Sequence, residues 1–80
     1  MASNEIRYEI LNTIGVVGVS KSGWQKELNR ISWNGKPPKY DLREWNPDHT
    51  RMGKGVTLTE EELRALGQLV TQEVAFLDQE

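Results

Sequence analysis

The stretch Lys39–Trp45, KYDLREW, carries the side chains whose types and spacing could do chemistry. Laid out as an extended strand, its successive side chains alternate between two faces. Tyr40, Leu42 and Glu44 share one face, where Tyr40 and Leu42 are natural core residues. Lys39, Asp41, Arg43 and Trp45 share the other, which joins two cations to a tryptophan. Trp33 lies beside the preceding turn, near Arg30 and Lys36. A base offers a π-face to a tryptophan and its phosphate to a neighbouring Lys or Arg. Aromatics interleaved with cations on a sheet are therefore the chemistry of a single-strand nucleic-acid groove. Tryptophans are highly buried on average, but alternation predicts Trp45 on a solvent-reachable binding face with Lys39 and Arg43. The same residue types build protein-docking hot spots. A protein-interaction module using the Trp/Arg face is the alternative.

Other chemistries find little footing. The chain has no cysteine and a single histidine, His49, which excludes disulfides, thiolate metal sites and a histidine cluster for zinc. His49 has no nearby serine or cysteine partner, and no paired carboxylates share a face of one element, so no enzyme and no cofactor are expected. A lone loop histidine reads as solvated. The stretch RMGKG, Arg51–Gly55, resembles an anion-binding nest, with Lys54 adding charge. It lacks the full spacing of a nucleotide-binding P-loop.

The formal net charge of −2 hides a division along the chain. Residues 1–20 carry a net −1, residues 21–54 a net +4, and residues 55–80 a net −5. A basic middle beside an acidic tail can present one cationic surface despite the acidic sum. No apolar run approaches a membrane span and no signal pattern opens the chain, which predicts a soluble, cytoplasmic protein without membrane contact.

The elements that would position these residues follow from pattern. Residues 1–4 read as a frayed tail and 5–80 as a single domain, small enough to want a partner subunit for stability. Ile6, Tyr8, Ile10, Ile14 and Val16 repeat with period two and predict a long half-buried strand, bent at Gly15 and Gly18. Lys21–Gly23 reads as a turn. In GWQKELNRISW, Trp24, Leu28 and Ile31 fall at helical spacing, and the local pattern slightly prefers a helix to a strand. Asn34–Gly35 followed by Pro37 and Pro38 is strong turn chemistry leading into KYDLREW. After a polar loop and a short strand, Thr59 and Glu62 make a capping box behind which Leu63, Leu66, Val70, Val74 and Leu77 form a helical stripe. One stripe would cover the sheet. Leu69 and Phe76 widen it beyond that need, which predicts a helix that also meets a second subunit.

KYDLREW followed by RMGKGVTLTEEELRAL resembles the transcriptional coactivator positive cofactor 4 family of single-stranded DNA-binding proteins, and GWQKELNRISWNGKPPKYDLREWNPDH its small bacterial YdbC-like branch. The resemblance runs from about Ile6 to the final helix. It implies an α+β fold, a curved four-stranded antiparallel β-sheet followed by one C-terminal α-helix, paired into a homodimer through that helix. It implies that GWQKELNRISW is a bent strand, a reading we adopt over the local helical spacing. It also implies single-stranded DNA as the partner, with RNA as a second candidate, low sequence preference, and a role in transcription or DNA maintenance near the transcription machinery. By the family's motif, Arg43, Trp45, Trp33 and Lys54 are the binding residues. Lys26 and Arg30, on the second strand, are phosphate contacts by position.

Overall fold

A computed structural model describes residues 6–79. The frayed tail expected over residues 1–4 lies outside the described residues. Four strands, β1 (Tyr8–Val19), β2 (Gln25–Trp33), β3 (Lys39–Trp45) and β4 (Met52–Leu58), precede a single helix, α1 (Glu60–Leu77). Each strand pairs antiparallel with the next in sequence, giving the order β1-β2-β3-β4. This is the α+β arrangement that the resemblance implies. No helix among the described residues is long and apolar enough to cross a membrane.

GWQKELNRISW is a strand, against its helical spacing. The β2–β3 register runs without interruption, with Leu28 opposite Leu42 and Ile31 opposite Lys39. Leu28 and Ile31 therefore sit on opposite faces, and their match to a helical repeat has no structural counterpart. The turn before β3 is built as its chemistry requires. Asn34 and Gly35 both have positive φ (51° and 74°), and the Lys36 N–H donates to the Trp33 carbonyl at 2.9 Å.

The strand expected from Ile6 is β1, but its alternation is not of period two. The register with β2 shifts between Ile10 and Asn12, Thr13 and Gly15, and Val16 and Gly18. Ile10, Thr13 and Val16 consequently stand opposite Ile31, Asn29 and Glu27, a repeat of three. Each bulge adds a residue, bends the strand and increases its twist. Gly15 and Gly18, expected at a bend, each follow a shift.

The bending closes the inner face of the sheet. Tyr8 pairs with Trp33 at one end of β2, and Trp45 pairs with Gln25 at the other. Along a flat strand those pairs would lie about 26 Å apart. The Tyr8 and Trp45 ring centroids are 5.6 Å apart. The curved sheet has wrapped its ends together. The inner face holds the most deeply buried residues, Ile31 and Trp45 with the polar Glu27, Asn29 and Asp41. Tyr40, Leu42 and Glu44, on the outer face, are only half-buried. This reverses the expectation that Tyr40 and Leu42 would mark the core side of β3.

The helix begins as its sequence dictates. The Glu62 N–H donates to Thr59 Oγ1 at 3.1 Å and the Thr59 N–H to Glu62 Oε1 at 2.8 Å, closing the capping box. Glu60, Glu61 and Glu62 occupy the positive end of the dipole. Contrary to the expectation that it would cover the sheet, its apolar stripe is left largely open. Leu66, Leu69, Val70, Val74, Phe76 and Leu77 are 39–62% exposed, and only Leu63 is half-buried.

Candidate nucleic-acid interface

The inner face assembles its residues in cross-strand rows. Asp41 is flanked by Asn29 and Thr57, Arg43 by Glu27 and Gly55, and Trp45 by Gln25 and Met52. Asp41 and Arg43, two residues apart on one strand, point the same way, and their side chains meet. Arg43 Nε and Nη2 donate to the two Asp41 carboxylate oxygens, each at 2.6 Å. Such a fork fixes the plane of the guanidinium. Nη1 donates to the Gly53 carbonyl at 3.4 Å and approaches Met52 Sδ at 3.5 Å. The guanidinium carbon sits 4.8 Å from the Trp33 ring centroid, within cation–π range. Arg43 is thus a flat plate whose donors are largely occupied and whose charge faces a buried carboxylate.

Gly55 is part of this geometry. A Cβ there would overlap Arg43 Cβ and lie 2.7 Å from the Leu42 carbonyl oxygen and 2.8 Å from Arg43 Nε. Only glycine leaves room for the arginine to lie down. The nest expected at RMGKG does not form. Residues from Met52 onward are extended strand, and Gly53 and Gly55 lack the positive φ that a nest alternates.

Trp33, Lys36, Pro37, Lys39, Arg43 and Met52 line a cleft of about 400 Å³ between the β2–β3 turn and the start of β4. Three of the residues picked out from sequence, Trp33, Lys39 and Arg43, therefore come together. Lys26 and Arg30 do not join them, since they pair with Glu44 and Tyr40 on the outer face. Lys54 also lies on that side, beside Lys26 in a shallow depression with Leu42, Glu44 and Val56. Pro37 and Met52 escaped sequence reasoning. Asp41 was placed on the right face, but its two-residue spacing from Arg43 was the unread signal for their pairing.

Trp45 overturns the expectation of a solvent-reachable stacking residue. It is 0% exposed. Its ring lies flat on His49, with centroids 4.1 Å apart and planes 4° from parallel, and packs at a tilt against Tyr8. Alternation named the face correctly but could not show that curvature closes this end of it. His49 is likewise not the solvated loop residue expected. Held at φ 62°, it places Nε2 3.0 Å from Glu27 Oε1 and clamps the β3–β4 loop to the sheet. Burial pushes the Glu27 carboxyl up, but the His49 contact, the Asn29 hydrogen bond and the His49 charge together hold it below the ordinary glutamate value.

A family model described as Transcriptional Coactivator p15 (PC4) matches residues 20–69, from the turn before β2 into α1. The chain belongs to this family. The matched segment contains every cleft residue but Ile6, together with the Asp41–Arg43 pair and the His49 clamp. An uncharacterized protein from Treponema pallidum (strain Nichols) is similar to the chain, 47% identical over 70 residues that cover 88% of this chain and 82% of the relative. Membership of the PC4 family suggests a transcription-related, single-stranded DNA-binding function.

Two measurements test the site's construction. Trp45→Ala should cost about 3–5 kcal/mol of stability in urea unfolding, as for a buried aromatic; a change within about 0.5 kcal/mol would mark an exposed surface position. Glu27 has a folded-state pKa below its unfolded value, so its stabilisation is present above the unfolded value and is lost as pH falls through the folded one. Wild-type stability should therefore drop between about pH 5 and about pH 3, and Glu27→Gln should show a smaller drop over that range. Equal pH profiles would reject the clamp.

Proposed function

We propose that the protein is a non-enzymatic binder of single-stranded DNA with low sequence preference, and that RNA enters by the same chemistry. The observation that carries this reading is the Arg43 guanidinium, laid on Trp33 and tied to buried Asp41 at a cleft flanked by Lys36 and Lys39. With its charge partnered and its plane fixed, Arg43 serves as a stacking surface for a base more than as a phosphate clamp. Lys39 and Lys36 supply the phosphate contacts. Trp45 acts from below, as the buried support of the aromatic row, while Lys26, Arg30 and Lys54 add positive potential from the outer face. Stacking reads only the π-face of a base, which favours unpaired over duplex strands and leaves sequence preference small.

Titration of labelled oligothymidine against a duplex control, over a range of salt, tests the reading. Lys39→Ala should lower the magnitude of the log–log salt slope by about 0.7, the value for one phosphate contact on a single strand. Arg43→Lys keeps the charge but loses the plane, and should weaken binding by roughly 1–3 kcal/mol with the slope unchanged. Duplex binding as tight as single-strand binding would sink the proposal. Salt-insensitive binding would point to the protein-docking alternative.

We also infer a homodimer in which a second copy covers α1, because a largely exposed apolar stripe on so small a chain calls for a partner surface. Val70→Asp should dissociate or unfold it by placing a charge in the interface. A wild-type monomer at micromolar concentration in light scattering would reject the pairing.

A further inference from the structure

The β2–β3 turn has chemistry that the binding reading does not use. Asn34 and Gly35 are both exposed, and nothing lies within 4 Å of where a Gly35 Cβ would stand. The Gly35 N–H donates to no group among the described residues, so the nitrogen that follows the Asn34 side chain in the chain is unencumbered. The Asn34 Oδ1 accepts the Arg7 N–H at 3.1 Å, which polarises the side-chain carbonyl and would steady negative charge developing on that oxygen. An exposed carboxamide followed by an unhindered amide nitrogen is the pair of groups that intramolecular cyclisation needs. The other described asparagines are poorly placed for it. Asn29 is fully buried, Asn46 precedes Pro47, which has no N–H, and Asn12 precedes the β-branched Thr13.

We propose that Asn34–Gly35 is a self-modifying site that ages the cleft. The Gly35 nitrogen bonds to Asn34 Cγ, the bond from Cγ to Nδ2 breaks, and Nδ2 leaves as ammonia with the proton from Gly35. Water then opens the cyclic imide at either carbonyl, giving aspartate or isoaspartate. No electrons are exchanged, and solvent water is the sole co-reactant. The native turn, pinned by the Lys36-to-Trp33 bond and by the Asn34 N–H donating to the Arg7 carbonyl at 2.7 Å, must loosen before the ring can close. Asn34 lines the same cleft as Lys36, Lys39 and Arg43, so the new carboxylate opposes a polyanionic strand there. Isoaspartate also lengthens the backbone at the centre of the turn and disturbs Trp33 beside it. The loss of binding rests on the single-strand reading; the conversion stands on turn chemistry alone.

The test incubates the full chain in warm neutral buffer and follows intact mass, peptide maps and oligothymidine affinity together. Conversion should appear at Asn34 ahead of Asn12, Asn29 and Asn46. Affinity should fall with the converted fraction, by roughly fivefold at low salt and less at high salt, as a single added charge would produce. Asn34→Gly, whatever its starting affinity, should show no decline over the same period, and saturating oligothymidine should slow conversion in the wild type by holding the turn shut. Asn34 that stays intact while an isolated peptide spanning residues 30–39 converts would overturn the proposal. Complete conversion with unchanged affinity would overturn it as well. Fresh protein that binds no single strand would sink the function reading and the affinity loss with it, while mass alone decides the conversion.

Discussion

A carboxylate with no exposed surface organises the inner face of this protein's sheet. Asp41 is wholly buried in the sheet and receives two hydrogen bonds from Arg43. Removing one partner of such a pair leaves an uncompensated buried charge, whereas replacing both by apolar groups is often neutral or stabilising. Its net contribution to stability is therefore a weak reason for its presence. Geometry is a stronger one. The fork sets the guanidinium plane, Trp33 supports one face of it, and Gly55 removes the side chain that would lift it away. Three elements thus converge on one flat cation, and the cleft takes its shape around it.

Curvature makes that convergence possible and also limits the core. Closing the inner face brings Tyr8 against both Trp33 and Trp45, and it buries Glu27, Asn29 and Asp41 alongside only two fully buried apolar residues among those described. A polar interior must be satisfied internally. Here each carboxylate has a partner that also holds a functional segment, Arg43 at the cleft and His49 on the β3–β4 loop. The same polar groups that organise the inner face leave the chain short of apolar burial, while α1 carries unused apolar surface outward. A second copy seated on α1, as proposed above, would resolve both conditions at once.

Much of this was legible from residue order. The hairpin turn, KYDLREW as a strand, and the capped helix each carry local signals strong enough to survive tertiary context, and the structure reproduces them. The rest depended on curvature, which local patterns do not encode. Three bulges turn the period of β1 from two to three, so its apolar positions could not be assigned to faces by alternation. The helical spacing in β2 was an accident of two leucine-sized residues on opposite faces. Trp45 was assigned to the correct face but to the wrong environment, because a face that is concave at one end and closed at the other looks uniform in sequence. His49 lies four residues beyond Trp45 in a loop, and only the left-handed turn at His49 brings the rings together. At the cleft, Trp33, Lys39 and Arg43 were visible as a set; Lys26 and Arg30 were grouped with them by position on the second strand and Lys54 by the family's motif, and neither ground says which face a side chain leaves from.

The same distinction between composition and placement bears on how an acidic chain can hold a polyanion. The net charge of −2 is a sum over a basic middle segment and an acidic C-terminal one. Acids gather on α1, where the first-turn glutamates favour the dipole and the cap, and cations gather on the strands and loops between residues 21 and 54. The molecule is 58 Å in its longest dimension, while charges in physiological salt are screened beyond about 8 Å. A polyanion at the cleft would therefore respond to Lys36 and Lys39 and little to the acids further along α1. Glu62 in the first turn, held below the ordinary glutamate value by its Thr59 hydrogen bonds and then by the Lys39 charge, partly offsets Lys39. Because Asp41 already partners Arg43, it adds little repulsion of its own. What governs attraction is the local excess of cations within a screening length, and the fold creates that excess by sorting charge between sheet and helix.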